Sequence, residues 1–219
     1  MPMTKTAFFD LDYTLLSSSS SVIYVKESVK QGFLPLWVVG LVALKYKLRG
    51  LDFGQGHAQL ITYVGRRGRV ATAPFFERLA AEKVLPRLTP AGRAKIEWHQ
   101  QQGHGVMLVS ASIEELVRPV ALHLDLGQNY LCTHLVVEAD RYTGQLDGPV
   151  CHGSGKVHWV KQWAVQNGLD FPQAVGYFYS DSASDLPLLE LAAQPVAVNP
   201  SRRLAKIAQA RGWPIERFY

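Results

Sequence analysis

Only two cysteines occur in the 219 residues, Cys132 and Cys151, and they stand too far apart to form a metal-type spacing. Two separate core thiols are expected, and nothing points to an oxidising compartment. No apolar run reaches the about 20 residues that span a bilayer. The most apolar stretch, Phe33 to Leu44 (F-L-P-L-W-V-V-G-L-V-A-L), reads as a buried helix. Its basic flank, Lys45, Lys47 and Arg49, keeps a peripheral membrane contact as the other reading. The first strand begins so close to Met1 that no leader peptide is expected, and the expected location is cytoplasmic. The chain lacks internal repeats, and its only low-complexity tract is Ser17 to Ser21. It also lacks zinc-finger spacing and any basic run with interleaved aromatics, which argues against nucleic acid as a partner.

Charged residues are scarce at 19%, while hydrophobic residues reach 47%, a composition for a packed core rather than a disordered chain. The length suits one large domain or a core with an insert. The net charge is +5 with a pI near 9.2. A basic surface favours anionic partners without choosing between a phosphorylated metabolite and a lipid surface. Nothing in the sequence sets an oligomeric state.

One stretch organises the rest. Ala7 to Leu15 reads A-F-F-D-L-D-Y-T-L, a hydrophobic strand that runs into Asp10 and Asp12, with Thr14 beyond. Burying carboxylates is costly without a cation or hydrogen bonds. A strand that ends in two of them therefore points to a site at the carboxyl edge of a sheet.

The serine run then reads as a flexible exit into a helix near Val22. Helical patterns follow over Val22 to Gln31, Leu36 to Leu48, Asp52 to Val64 and Val70 to Leu85, with no convincing strand until after Pro90. Pro35 and Gly50 punctuate the second of these. Beyond Pro90 the pattern alternates. A helix over Ala91 to Gln102 precedes a buried strand, Gly105 to Val109, and a helix from Ile113 to Leu124. Leu135 to Ala139 and Arg141 to Leu146 suggest a hairpin. A helix over Lys156 to Gln166 leads to a strand over Tyr177 to Tyr179, a helix over Leu186 to Ala193, a strand over Val196 to Val198, and a last helix over Ser201 to Arg211. Strands separated by helices imply an α/β fold with a parallel, doubly wound sheet.

Three more stations carry chemistry. Ser110 directly follows the strand G-V-M-L-V. Its hydroxyl and the amide of Ala111 suit a phosphate oxygen, although a serine there could equally cap a helix. Lys156 follows Gly153-Ser154-Gly155 at a helix start, where a cation is unfavourable unless an anion lies beside it. Tyr179-Ser180-Asp181 again ends a strand in an acid, with Asp185 four residues on; Asp185 could also cap the next helix. Asp181 and Asp10 together would give a hard cation oxygen ligands, which suits Mg2+.

In this order the four stations resemble the haloacid dehalogenase-like hydrolase superfamily, in its phosphoserine-phosphatase-like branch. The segments Arg141 to Gly144 (R-Y-T-G) and Ala197 to Leu204 (A-V-N-P-S-R-R-L) resemble the same branch. The resemblance implies a Rossmann-like core over residues 1–16 and 94–219, with a helical cap inserted over 17–93. It implies Mg2+-dependent hydrolysis of a phosphomonoester on a small phosphorylated metabolite, with Asp10 as nucleophile through an aspartyl-phosphate and Asp12 as general acid and then base. Ser110 and Ala111 would hold phosphate oxygens and Lys156 would offset their charge. The metal set would be Asp10, Asp12 through its main-chain carbonyl, and Asp181, with Asp185 orienting a water or ligand. Thr14 would support the loop.

The sequence departs from that pattern in three places. Tyr13 stands where the branch has a small residue. Ser184 stands where it often has asparagine. The position of the phosphoserine phosphatases' substrate-reading glutamate falls near Ser19. The last departure counts against phosphoserine; the resemblance implies histidinol phosphate as the leading named substrate, since related proteins of this subgroup are linked to it, with phosphoserine second. Arg66, Arg67, Arg69 and His57 are candidate substrate contacts from the cap, or else solvated or packed side chains. A phosphotransferase using the same intermediate and a non-catalytic phospho-receiver remain as alternatives; Asp12 and the helical insert argue against the receiver.

Overall fold

The computed structural model of the chain describes residues 5–49 and 53–219. Four apolar or β-prone residues, Thr6–Phe9, form β1 and are buried throughout. Such a strand has no face for water, and it lies inside the sheet between β2 (Gly105–Ile113) and β6 (Val175–Ser180). Beyond these lie β3 (Tyr130–Thr133) on one side, and β7 (Gln194–Val198) and β8 (Ile215–Glu216) on the other. The six strands run β3-β2-β1-β6-β7-β8, every neighbouring pair parallel, so the α/β expectation holds. Phe9 lies opposite Leu108 on one side and Tyr179 on the other, which brings three strand ends to one edge.

Side chains alternate across β1. Ala7 and Phe9 pack with Val117, Val120 and Ile96 from α5 (Pro90–Gln101) and α6 (Glu114–His123). Phe8 faces the other way, toward Val160 of α7 (Ser154–Gln166), Leu188 of α8 (Leu186–Leu189) and Leu204 of α9 (Arg202–Arg211). Cys132 and Cys151 are buried and free, as core thiols should be. The hairpin is present as β4 (Leu135–Glu138) and β5 (Arg141–Leu146).

Four helices precede α5: α1 (Ser20–Lys30), α2 (Leu36–Arg49), α3 (Phe53–Gly65) and α4 (Arg69–Leu79). They share a separate apolar cluster around Tyr24, Ile61, Phe75 and Phe76, which also takes in Ile113, Leu116 and Tyr142. Tyr24 stacks on Phe76 with ring centroids 5.6 Å apart. Among the described residues, no helix is long and apolar enough to cross a membrane.

The structure corrects several expectations. The serine run is not a flexible exit: Ser19 caps α1, accepting from the Val22 amide, and Ser20 already belongs to the helix. The strand after Gly105 continues through Ser110 to Ile113, so Ser110 caps no helix. The helix expected over Val70 to Leu85 is α-helical only to Leu79 and then continues as a π-helical turn, Ala80–Val84, and a 3-10 turn, Leu85–Arg87. Strands β3 and β8 carry too few residues for a periodicity to show. The expected start of α3 at Asp52, and Gly50 after α2, lie outside the described residues. The stretch Phe33 to Leu44 is not a buried helix. Val38 is buried, but Leu36, Trp37, Leu41 and Leu44 are exposed.

Under the sheet, fully buried His99 bridges His104 (Nδ1 to Nδ1, 2.9 Å) and the Tyr179 hydroxyl (Nε2, 2.9 Å). Burial, with His104 and Lys95 nearby, lowers its pKa from 6.5 to about 4. Between those values the unfolded chain binds the extra proton, so stability falls as pH drops through that window. The full effect is about 3 kcal/mol. Urea unfolding at about pH 7 and about pH 4.5 should show most of this loss in the wild type and a flatter dependence in His99→Gln.

Candidate active site

The edge where β1 and β6 end, beside Ser110 and Ala111 within β2, carries all four stations. The Asp10 amide donates to the Tyr179 carbonyl (2.9 Å), so the residue is still held by the sheet. The chain then bends through Leu11–Leu15. Asp12 is extended, and Tyr13 is left-handed at φ 58°, a strained conformation for a bulky residue. The Tyr13 carbonyl accepts from the Asn199 amide group and the Tyr219 hydroxyl, both at 3.3 Å. The Phe218 amide in turn donates to Asn199 Oδ1 at 2.9 Å. Thr14 ties two strand ends together: its hydroxyl donates to Asp10 Oδ2 and accepts from the Asp181 amide, both at 3.1 Å.

Lys156 stands in the first turn of α7, almost wholly buried. Its Nζ lies 2.5 Å from Asp10 Oδ1 and 2.7 Å from Asp185 Oδ2. The expectation of an anion beside it is met twice. Glycine precedes it for a steric reason: a Cβ on Gly155 would lie 1.8 Å from the Val150 carbonyl oxygen. Asp185 does not cap α8 with its side chain. Its Oδ2 also accepts from Ser180 Oγ at 2.7 Å, while its buried Oδ1 has no hydrogen-bond partner among the described residues.

Asp12 has different company. Its Oδ2 accepts from Ser19 Oγ (2.8 Å), and its Oδ1 from the Ser20 amide (3.0 Å) and Ser20 Oγ (2.7 Å). The carboxyl thus sits on the N-terminus of α1, the favourable end of the helix dipole. Ser20 Oγ also lies 2.7 Å from Ser112 Oγ, which is 3.1 Å from Ser21 Oγ. One consistent proton order runs Ser21 to Ser112 to Ser20 to Asp12. The Ser112 amide donates to Ser110 Oγ (3.1 Å), leaving the Ser110 proton free for a ligand.

Four carboxyls thus gather around one ammonium that pairs directly with two of them, Asp10 and Asp185. Burial pushes Asp10 up to about 8, with Lys156 opposing and Asp185 and Asp181 adding to the rise. Burial also raises Asp12, against the Ser20 and Ser19 hydrogen bonds. Burial and Asp185 lift Asp181 to about 6, against Lys156. For Lys156 burial acts downward but is outweighed by Asp10 and Asp185, so it stays a cation. The surplus of buried carboxyls and the unpartnered Asp185 Oδ1 fit a hard cation. No three His, Cys, Asp or Glu side chains among the described residues gather into a cage. Mg2+ does not need one, since it keeps several waters and takes one or two carboxylates.

Asp10, Asp12, Ser110, Ala111, Lys156, Asp181 and Asp185 all line one cavity of about 270 Å³. Tyr13, Ser19, Val22, His152, Ser182 and Ser184 complete its wall. Ser184 Oγ is turned to Ser182 Oγ at 2.8 Å. The arginine cluster is elsewhere. Arg69 pairs with Glu115 (3.3 Å) and Glu114 (3.7 Å) of α6, Arg66 lies over the Tyr63 ring and Arg67 over the Phe33 ring. None of the three lines the cavity. The His57 side chain lies outside the described residues. Sequence reasoning missed Ser20, Ser112 and His152. The serine run was visible, but a hydrogen bond back across eight residues has no spacing signature.

The sequence pattern of the haloacid dehalogenase-like hydrolases matches residues 7–190. The chain is a haloacid dehalogenase-like hydrolase. Relatives of this hydrolase carry phosphatase names. A histidinol-phosphatase from Neisseria meningitidis is 33% identical over 223 residues, covering 99% of this chain and 100% of the relative. The phosphoserine phosphatase SerB1 from Mycobacterium tuberculosis is 30% identical, covering 99% and 71%. Among solved structures, a protein of unknown function from Bordetella pertussis Tohama I shares the fold with a TM-score of 0.89 at 30% identity, covering 99% of this chain and 100% of that one. A phospho-aspartyl intermediate analogue of phosphoserine phosphatase has a TM-score of 0.63 at 17% identity, covering 99% and 94%, which speaks to fold alone. The sequence-based family assignment is borne out.

Removing Lys156 would leave Asp10 and Asp185 buried without their counter-charge. Lys156→Ala should lower unfolding free energy by about 3–5 kcal/mol in a denaturant titration near neutral pH.

Proposed function

We propose that this hydrolase is a Mg2+-dependent phosphomonoesterase that cleaves a small phosphorylated metabolite through an aspartyl-phosphate on Asp10. The observation that carries the proposal is the contrast between two acids two residues apart. Asp10 is paired with a lysine, and Asp12 is held by hydroxyls and a helix amide. Paired acids in unlike environments suit divided roles.

In the first step an Asp10 carboxylate oxygen attacks phosphorus and the bond to the ester oxygen breaks. Asp12, raised by burial, is suited to hold the proton that the departing alkoxide takes up. In the second step Asp12 receives a proton from water, which attacks the aspartyl-phosphate and releases inorganic phosphate with Asp10 restored. The Ser110 hydroxyl and the Ala111 amide hold phosphoryl oxygens, and Lys156 offsets the charge that gathers on them. Mg2+, when bound, would offset charge on the phosphoryl group and the carboxylates, with Asp10, the Asp12 carbonyl and Asp181 as its holders and Asp185 behind them.

Residues 17–93 form the cap in this reading, and they supply Ser19 and Val22 to the cavity wall. Ser19 stands near the place of the glutamate that reads the amino group in phosphoserine phosphatases. Here its hydroxyl is turned to Asp12. That disfavours phosphoserine and leaves histidinol phosphate first, in keeping with the full-length relative named for it. A cytoplasmic place belongs to the same reading.

Turnover of p-nitrophenyl phosphate tests the nucleophile: Asp10→Asn should lose about a thousandfold or more in kcat, and equal activity would sink the assignment. Asp181→Asn should raise the Mg2+ concentration for half-maximal rate by about tenfold or more. A phosphorylated-metabolite panel with inorganic phosphate as the readout should rank histidinol phosphate above phosphoserine, and transfer to an added alcohol instead of water would mark a phosphotransferase.

A further inference from the structure

Five of the thirteen large apolar side chains exposed among the described residues lie on one helix, α2: Leu36, Trp37, Leu41, Leu44 and Leu48, each 45–71% exposed. Exposed leucines scattered singly would need no explanation. These are not scattered, because Trp37, Leu41, Leu44 and Leu48 follow spacings of four, three and four residues and form a single stripe. The core-facing side of the helix carries buried Val38, with Val39 and Val42 partly buried beside it. Trp37 and Leu41 also line a groove of about 370 Å³ between α2 and α3, with Tyr63, Arg66 and Thr143. The Arg66 guanidinium rests over the Tyr63 ring in this groove.

Along the sequence, residues 28–76 contain seven lysines and arginines and a single acid, Asp52. Arg69 is taken up by Glu114 and Glu115, but Lys45 on α2 and Arg66 in the groove stand beside the stripe. A second copy packed face to face would set this basic block against itself, and a nucleic acid would leave the leucines uncovered. A phospholipid surface takes both features, since the stripe enters the boundary between headgroups and acyl chains while the cations meet phosphates. With 14 residues and a rise of about 1.5 Å each, α2 is far too short to span and would lie flat.

We propose that α2 docks this hydrolase reversibly on an anionic phospholipid surface through Trp37, Leu41, Leu44 and Leu48, with Lys45 and Arg66 among the supporting cations. Docking stands apart from the active-site reading, because none of these residues lines the catalytic cavity.

The test uses the full chain with vesicles of phosphatidylcholine alone, or of phosphatidylcholine and phosphatidylglycerol in equal parts. The wild type should cosediment about tenfold more with the mixed vesicles. Leu41→Glu with Leu44→Glu should lose about tenfold of that binding while keeping wild-type turnover of p-nitrophenyl phosphate. Lys45→Glu with Arg66→Glu leaves the stripe intact and should reduce binding to the mixed vesicles alone. Absence of cosedimentation, equal binding to both vesicle types, or undiminished binding by the Leu41→Glu, Leu44→Glu variant would overturn the proposal. So would a lipid-free dimer in sedimentation velocity that the same variant dissociates, since the face would then belong to a second copy.

Discussion

A buried ammonium held between two buried carboxylates governs this molecule. Lys156 cannot keep its charge inside the protein without Asp10 and Asp185, and neither acid is tolerable there without the lysine. These partners come from the ends of β1 and β6 and from the first turn of α7, so strand order and helix placement must be right together. Gly155 illustrates the constraint, because any side chain there would collide with the Val150 carbonyl and push the lysine out of line. The other two acids, Asp12 and Asp181, leave the site over-supplied with carboxyls. The single ammonium pairs with only two of the four, so the site holds more buried acid than one lysine can offset.

Two acids so close in sequence acquire unlike surroundings because the chain reverses between them. Asp12 is extended and Tyr13 left-handed, which turns one carboxyl toward the lysine and the other toward the start of α1. Strain at Tyr13 is offset by two hydrogen bonds to its carbonyl, from Asn199 and Tyr219. The A-V-N-P segment, noted in sequence only as a likeness to relatives, therefore has a physical task at the mouth of the site. Its asparagine links the turn at Tyr13 to the Phe218 amide.

The helical block contributes on two sides. Its serines reach into the site and fix Asp12, while its arginines stay away. Arg69 binds α6, and Arg66 and Arg67 lie over rings. Its α2 turns a leucine stripe outward, in a part of the chain almost free of acids. One helical block thus reaches both Asp12 and the outer surface.

The sequence by itself determined the α/β class and the four stations. Apolar strands that end abruptly in acids, and a lysine at a helix start, are local conflicts that only a shared site resolves. The parallel sheet followed from the alternation of strands and helices after Pro90. Only the tertiary structure decided who partners whom. Ser20 and Ser112 are 92 residues apart, and no periodicity announces a hydrogen bond between them. It also decided that Phe33 to Leu44 is half exposed. Hydrophobicity records what a residue would gain by burial, whereas burial itself depends on whether another element is there to cover it.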